Sequence, residues 1–247
     1  MIGVPLEATT KSNKQRHLTY WGDIISDFLF EKFGVNFYHD KSIWTDQTEV
    51  FIDEGYSFLK GGKSIIDVGA NIGDSPLYFA LTGFDKIIAI EPFPQNFNIL
   101  IKNVHANCLQ DKIIPINAMI GNQLKYAQIQ ITGEITTGSQ AVETSDGSGF
   151  KLPMLTLSKL LDDYELIDPY LKMDCEGCEY DSILIENDEI LRNLKKIQIE
   201  YHYGYKELLE KLNKAGFYCL YTKPQNSYNK CVHNPNMRLG YIYAKRK

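Results

Sequence analysis

The chain has 247 residues, enough for one large domain or a domain with a cap, and its 44% hydrophobic and 23% charged residues are those of a globular protein with a proper core. A net charge of −5 gives no electrostatic case for nucleic acid or an anionic membrane surface, and no apolar run approaches the ~18 residues that span a bilayer. The N-terminal MIGVPLEATTKSNKQR carries no apolar h-region, so the expectation is a soluble, cytoplasmic protein without nucleic-acid or membrane partners. Its five cysteines, an odd number, argue against a complete disulfide framework and fit a reducing compartment. Cys175 and Cys178 form a C-x-x-C with no second pair at zinc spacing, and read as two packing cysteines.

Residues 1–60 are rich in aromatic and charged side chains and lack strand–helix alternation. Trp21, Ile24, Ile25, Phe28 and Leu29 recur at helical spacing and predict a helix over about 18–33. Val50, Ile52 and Tyr56 to Leu59 suggest a further packed element before Gly61 and Gly62 break the chain. This segment is expected to cap the main sheet or to cover its edge, with residues 61–247 as the principal domain. From Ser64 the rhythm is regular. Strands are expected at 64–69, 86–91, 112–118, 170–174, 195–201, 216–222 and 238–244, with helices at 75–82, 95–106, 156–163, 178–191 and 204–215. Such alternation implies a mostly parallel seven-stranded α/β sheet with helices on both faces. The polar link with Asn226, between the sixth and seventh strands, suits a final antiparallel pair, whose edge permits sheet-to-sheet dimerisation. Residues 125–153 interrupt the rhythm: YAQIQI alternates like a half-exposed strand, and a loop of small and polar residues follows.

The most informative stretch is SIIDVGANIGDSPLYFAL, followed by IIAIEPFP. An apolar strand breaks into Gly69, Asn71 and Gly73 and enters a helix, which leaves bare backbone N–H groups at a ligand-sized gap. Glu91 ends the next apolar run about 20 residues on, where a nucleoside-binding sheet keeps an acid for a ribose diol. The turn reads G-x-N-x-G and lacks the third glycine of a dinucleotide site, which points away from NAD and towards S-adenosylmethionine.

In order along the chain stand IIDVGANIGDSPLYFA, IAIEPFPQNFNILIKNV, LPMLTLSKLL, LKMDCEGCEYDSIL and IQIEYHYG. Together, over about residues 60–222, they resemble the FkbM-type methyltransferases, a branch of the Rossmann-like class I fold. The resemblance implies S-adenosylmethionine as cofactor and O-methylation of a hydroxyl on a sugar, glycan or other small molecule. It also implies cofactor contacts: Asp67 to the amino group, the turn from Gly69 through Asn71 to Gly73 along the methionine moiety, and Glu91 to both ribose hydroxyls. Phe93 is expected at the adenine edge or in the core, and Asn117 with Ala118 near adenine.

Methyl transfer to a neutral hydroxyl needs in-line placement and a base. In LKMDCEGCEY, a strand ends at Asp174, which is expected to approach the methyl donor, while Glu176 holds the turn or the acceptor. Glu179 reads as a helix-start acid favoured by the dipole. Lys172 precedes Asp174 by two and is expected to pair with it. Glu200 and His202 share one strand face, and a histidine with an unperturbed pKa of ~6.5 suits a general base. Asp174, Glu200 and His202 offer ligands from two strand ends, yet no spacing is specific to metal, so no metal ligand is assigned and a divalent ion is not favoured. Trp21, Trp44, Tyr20 and Tyr38 stack on the acceptor or form the cap's own core. Two alternatives stand beside O-methylation. N-methylation lacks the N/D-P-P-Y/F motif where Asp174-Cys175-Glu176-Gly177 stands. The other is a cofactor-binding subunit without catalysis.

Overall fold

The computed structural model describes residues 11–38, 44–121, 125–130, 142–143, 150–226 and 237–247. Helix α1 (Lys11–Phe33) starts seven residues earlier than the apolar spacing predicts. A short helix α2 (Trp44–Gln47) runs into a π-helical turn (Thr48–Ile52), and a 3-10 turn (Ser57–Leu59) follows. Leu29, Val35, Val50, Phe51 and Leu59 are buried in one cluster with Leu77, Tyr78 and Phe79, so the N-terminal segment shares the core of the main sheet.

Strand β1 (Ser64–Val68) is buried along its whole length, as expected of a strand covered on both faces. It is followed by α3 (Asp74–Leu81), β2 (Lys86–Ile90), α4 (Pro94–Ala106) and β3 (Ile113–Ile116). Even within the apolar runs a period of two sorts side chains. Ile66, Val68, Ile88 and Ile90 enter the core on one face, and Ile65, Ile87 and Ala89 the core on the other. Strand β3 stops short of the expected residue 118 because the Asn117 side chain leaves the ladder and donates to Glu91 O (2.8 Å) and Pro92 O (3.0 Å).

A side sheet interrupts the alternation: β4 (Met119–Ile120), β5 (Lys125–Gln130), β6 (Val142–Glu143) and β7 (Phe150–Leu155), in the order β4-β7-β5-β6. The strand expected at YAQIQI is β5. Most of the small-residue loop over 133–150 lies outside the described residues. Then come α5 (Leu157–Asp163), whose Thr156 cap accepts from Lys159 N at 3.2 Å, and β8 (Tyr170–Met173). The single helix expected at 178–191 is two, α6 (Cys178–Ile183) and α7 (Asp188–Arg192). The chain leaves the helix at Leu184, and Asn187 restarts it by accepting from Glu189 N at 2.9 Å. The last elements are β9 (Lys196–Tyr201), α8 (Lys206–Lys214), β10 (Phe217–Tyr221), β11 (Gln225–Asn226) and β12 (Arg238–Arg246).

The main sheet runs β10-β12-β9-β8-β1-β2-β3, with β11 added on β12. From β9 to β3 every neighbouring pair is parallel, and β12 is antiparallel to both β9 and β10, the final arrangement the polar link predicts. The chain leaves β1 towards β2 on one side and returns at β8 on the other. The crevice of such a sheet therefore opens at the carboxyl ends of β1 and β8. No helix among the described residues is long and apolar enough to cross a membrane.

Candidate active site

A cavity of about 240 Å³ lies at that switch point. Its walls come from the loops after β1, β2 and β8, the end of β9, and the turns of the N-terminal segment. The loop after β1 lies directly on the loop after β8. Gly69 has a φ of 79°, and a Cβ there would stand 1.8 Å from the Asp174 carbonyl oxygen, so only glycine allows this closure. Asn71, also at positive φ, is held from three sides. Its N–H donates to Glu91 Oε2 (2.9 Å), its Nδ2 to Asp46 Oδ2 (3.3 Å), and its Oδ1 accepts from Asn96 Nδ2 (2.9 Å). Glu91, 3% exposed, accepts with its other oxygen from Phe93 N at 2.9 Å.

On the β8 side, Glu176 (φ 58°) and Gly177 (φ 123°) turn the chain sharply before α6. This turn brings Cys175 back onto Cys178, and the two form a disulfide with their Cα atoms 5.5 Å apart. The expectation of two packing cysteines is thereby corrected. His202, just past β9 and 2% exposed, has its Nδ1 2.8 Å from Glu179 Oε1. The same oxygen accepts from His202 N at 3.1 Å, and Glu179 Oε2 accepts from Gly177 N at 3.0 Å. Glu179 is therefore not merely a helix-start acid. It is wholly buried and fixes both the imidazole and the turn that carries Glu176. The other ring nitrogen, Nε2, lies 3.4 Å from Glu176 Oε2 and 3.8 Å from Asp174 Oδ1.

The cavity is acidic. Burial pushes Glu91 up to about 8 against the two amides that favour its charge. Burial, then the neighbouring Asp174 charge, pushes Glu200 up to about 9. Asp74 rises to about 7 through burial and the nearby Asp46. For His202, burial works against the charged ring, but the Glu179 hydrogen bond and charge, with Asp174 and Glu176, outweigh it and raise it to about 9. At neutral pH the free site thus holds His202 as an imidazolium. The sequence led to an ordinary imidazole pKa instead, because the buried Glu179 carboxylate could not be read from the strand's own pattern.

Of the residues singled out from the sequence, Gly69, Asn71, Glu91, Phe93, Asp174, Glu176 and His202 all line this one cavity. Asp67, Gly73, Asn117 and Ala118 stand behind it. Asp67 is fully buried, accepts from Ser75 Oγ at 2.7 Å and pairs with Lys172 Nζ at 3.1 Å, so its carboxylate is already engaged inside the fold. Lys172 therefore pairs with Asp67, not with Asp174 as expected, and also donates to Gly69 O at 2.7 Å. Gly73, at φ 100°, caps α3 beneath Leu100, and Ala118 sits in the core. Trp21 and Tyr38 are exposed and do not line the cavity, while the side chains of Tyr20 and Trp44 lie outside the described residues. Sequence reasoning passed over Asp46, Glu49 and Tyr56, which reach the cavity from the N-terminal turns, and Met237 and Leu239, which reach it from the start of β12.

Six strands running one way, an antiparallel β12 inserted between β9 and β10, and a ligand cavity at the switch point define the Rossmann-like class I methyltransferase fold. The chain belongs to the FkbM methyltransferase family: the model described as "Methyltransferase FkbM domain" matches residues 67–219. Among solved structures the chain is similar in fold to a human methyltransferase 10 domain containing protein, with a TM-score of 0.51 and 13% identity over 97% of this chain and 99% of that one. It is also similar to the METTL16 MTase domain, with a TM-score of 0.50 and 18% identity over 91% of this chain and 78% of that one. Among curated proteins, a tRNA(Phe) (4-demethylwyosine(37)-C(7)) aminocarboxypropyltransferase of Pyrococcus horikoshii is 36% identical over 58 residues, 24% of this chain. The chain spans only 21% of the length of that relative.

Proposed function

We propose that this methyltransferase uses S-adenosylmethionine to methylate a hydroxyl of a small molecule, a sugar or a glycan-borne alcohol. The observation that carries the reading is one cavity with two chemically different ends, Glu91 beyond β2 and Asp174, Glu176 and His202 beyond β8 and β9. The donor set fits the cofactor. After accepting from Asn71 and Phe93, each Glu91 oxygen keeps a lone pair, which suits two ribose hydroxyls. The acids around the cavity suit an ammonium and a sulfonium.

When bound, S-adenosylmethionine supplies an electrophilic methyl group on sulfur. The chain's own part is to hold an acceptor oxygen in line with it and to receive the hydroxyl proton. With His202 already protonated at neutral pH, Asp174 is the group that takes that proton, and Glu176 and His202 hold the acceptor from the sides. An RNA acceptor, suggested by the name of the tRNA-modifying relative, sits badly with a net charge of −5 and acidic cavity walls.

Calorimetric titration with S-adenosylmethionine and S-adenosylhomocysteine, followed by labelled methyl transfer to a panel of sugars and polyols, tests the reading. Micromolar binding and transfer to an oxygen are expected. Failure of both nucleosides to bind, or transfer only to nitrogen or to RNA, overturns it.

A further inference from the structure

The groups around His202 are arranged as a ligand set. Asp174, Glu176 and His202 each offer one ligand atom, and the three atoms lie within 4.8 Å of one another. The imidazole is 98% buried by its 2% exposure, and its hydrogen bonding is one-sided: Nδ1 meets Glu179, while Nε2 makes no hydrogen bond among the described residues and faces the cavity. A carboxylate fixing one ring nitrogen so that the other points at a common centre is how metal-ligating histidines are oriented. Glu179 also holds the turn that presents Glu176, through Gly177 N at 3.0 Å, so one buried side chain sets two of the three donors.

From this geometry we infer that the chain binds one divalent cation through Asp174, Glu176 and Nε2 of His202, which releases its Nε2 proton to solvent as the cation binds, with Glu179 as the positioning residue behind the histidine. Two carboxylates and an imidazole favour Mn²⁺, Co²⁺ or Zn²⁺ over Mg²⁺, which takes oxygen ligands and keeps its waters. All three donors line the cavity, so a cation held there would be open to a ligand from it. An acceptor hydroxyl bound there ionises more readily, and a carboxylate that ligates through one oxygen keeps the other to take the proton. The inference goes beyond the proposed function and stands on its own geometry, whichever acceptor the enzyme uses.

The test is Mn²⁺ titration of the full chain, following loss of the free-ion electron paramagnetic resonance signal and repeated by calorimetry. S-adenosylhomocysteine is titrated into the same samples. One Mn²⁺ per chain is expected. Glu179→Gln should weaken it about 10- to 100-fold, the usual effect of losing a residue that orients a ligand. His202→Gln should abolish it. Asp46→Asn, which removes an acid that lines the same cavity from α2 and is not one of the three donors, should leave Mn²⁺ affinity within about twofold. Should His202→Gln fail to melt cooperatively, Glu176→Gln, on the partly exposed turn, answers the same question. Absence of Mn²⁺, Co²⁺ and Zn²⁺ binding at millimolar concentration overturns the inference. So does equal weakening by Asp46→Asn and Glu176→Gln, which would mark a diffuse acidic field. Mn²⁺ binding without nucleoside binding would overturn the proposed function and leave this site standing, and the reverse result would do the opposite.

Discussion

Glu91 owes its position to two backbone amides, with no salt bridge to it among the described residues, and this makes it a sensitive reporter of what occupies the cavity. A charge-assisted hydrogen bond contributes roughly 1.5–3 kcal/mol, so above about pH 8, where the Glu91 carboxyl is ionised, Glu91→Gln, which gives up one acceptor and the charge, should weaken S-adenosylhomocysteine about 10- to 100-fold. Calorimetry on the two proteins measures it, and unchanged affinity would contradict the ribose role. Glu91 was legible in the sequence because it ends an apolar run at a fixed distance from a glycine turn. Glu179 was not. A helix-start acid has a local explanation of its own, and its actual partner, His202, lies 23 residues away, just past β9. The same limit applies to Asp67. Its place at a strand end suggested a ligand contact, but a buried lysine two residues before Asp174 had already claimed it.

Among the elements, the loops after β1 and β8 matter most, because their contact forms the floor of the cavity. Gly69→Ala would set a side chain into the Asp174 carbonyl at a φ that alanine disfavours, and neither loop can yield without moving its strand. The expected loss is about 3 kcal/mol or more in urea unfolding, together with weaker nucleoside binding. A loss below about 1 kcal/mol would mean that the two loops separate freely. Strands β1, β2, β8 and β9 were legible within a residue or so, since buried parallel strands read as short apolar runs. The break between α6 and α7 was not, because an apolar pattern continues through Leu184 and Ile190 while a single cap at Asn187 restarts the helix. Nor was the Cys175–Cys178 bond legible, for it depends on two consecutive left-handed residues that the sequence shows only as Glu-Gly.

At the scale of the whole molecule, a modest net charge conceals an uneven distribution: acids gather in one cavity where burial resists their ionisation. Glu91 titrates at about 8 in the folded chain against an ordinary 4.5, Asp74 at about 7 against 3.8, and Glu200 at about 9 against 4.5. The sign follows from proton counts. Above pH 4 to 5 the unfolded chain releases these protons while the folded chain keeps them, so the folded state is the one that loses ground as pH rises. The contribution is whole below the ordinary carboxylate range and is lost progressively until the folded groups ionise between about pH 7 and 9. The melting temperature of the ligand-free protein, measured in chelator, should therefore decline steadily from pH 5 to pH 9. A bound cation, or the positive groups of the cofactor, supplies the charge that the cavity lacks. Saturating ligand should then raise the melting temperature more at pH 8 than at pH 6, because at the higher pH it stabilises carboxylates that would otherwise repel one another. A flat profile in chelator, or a ligand effect that shrinks with pH, would show that solvent reaches these acids and that the cavity walls do not hold them in the folded chain.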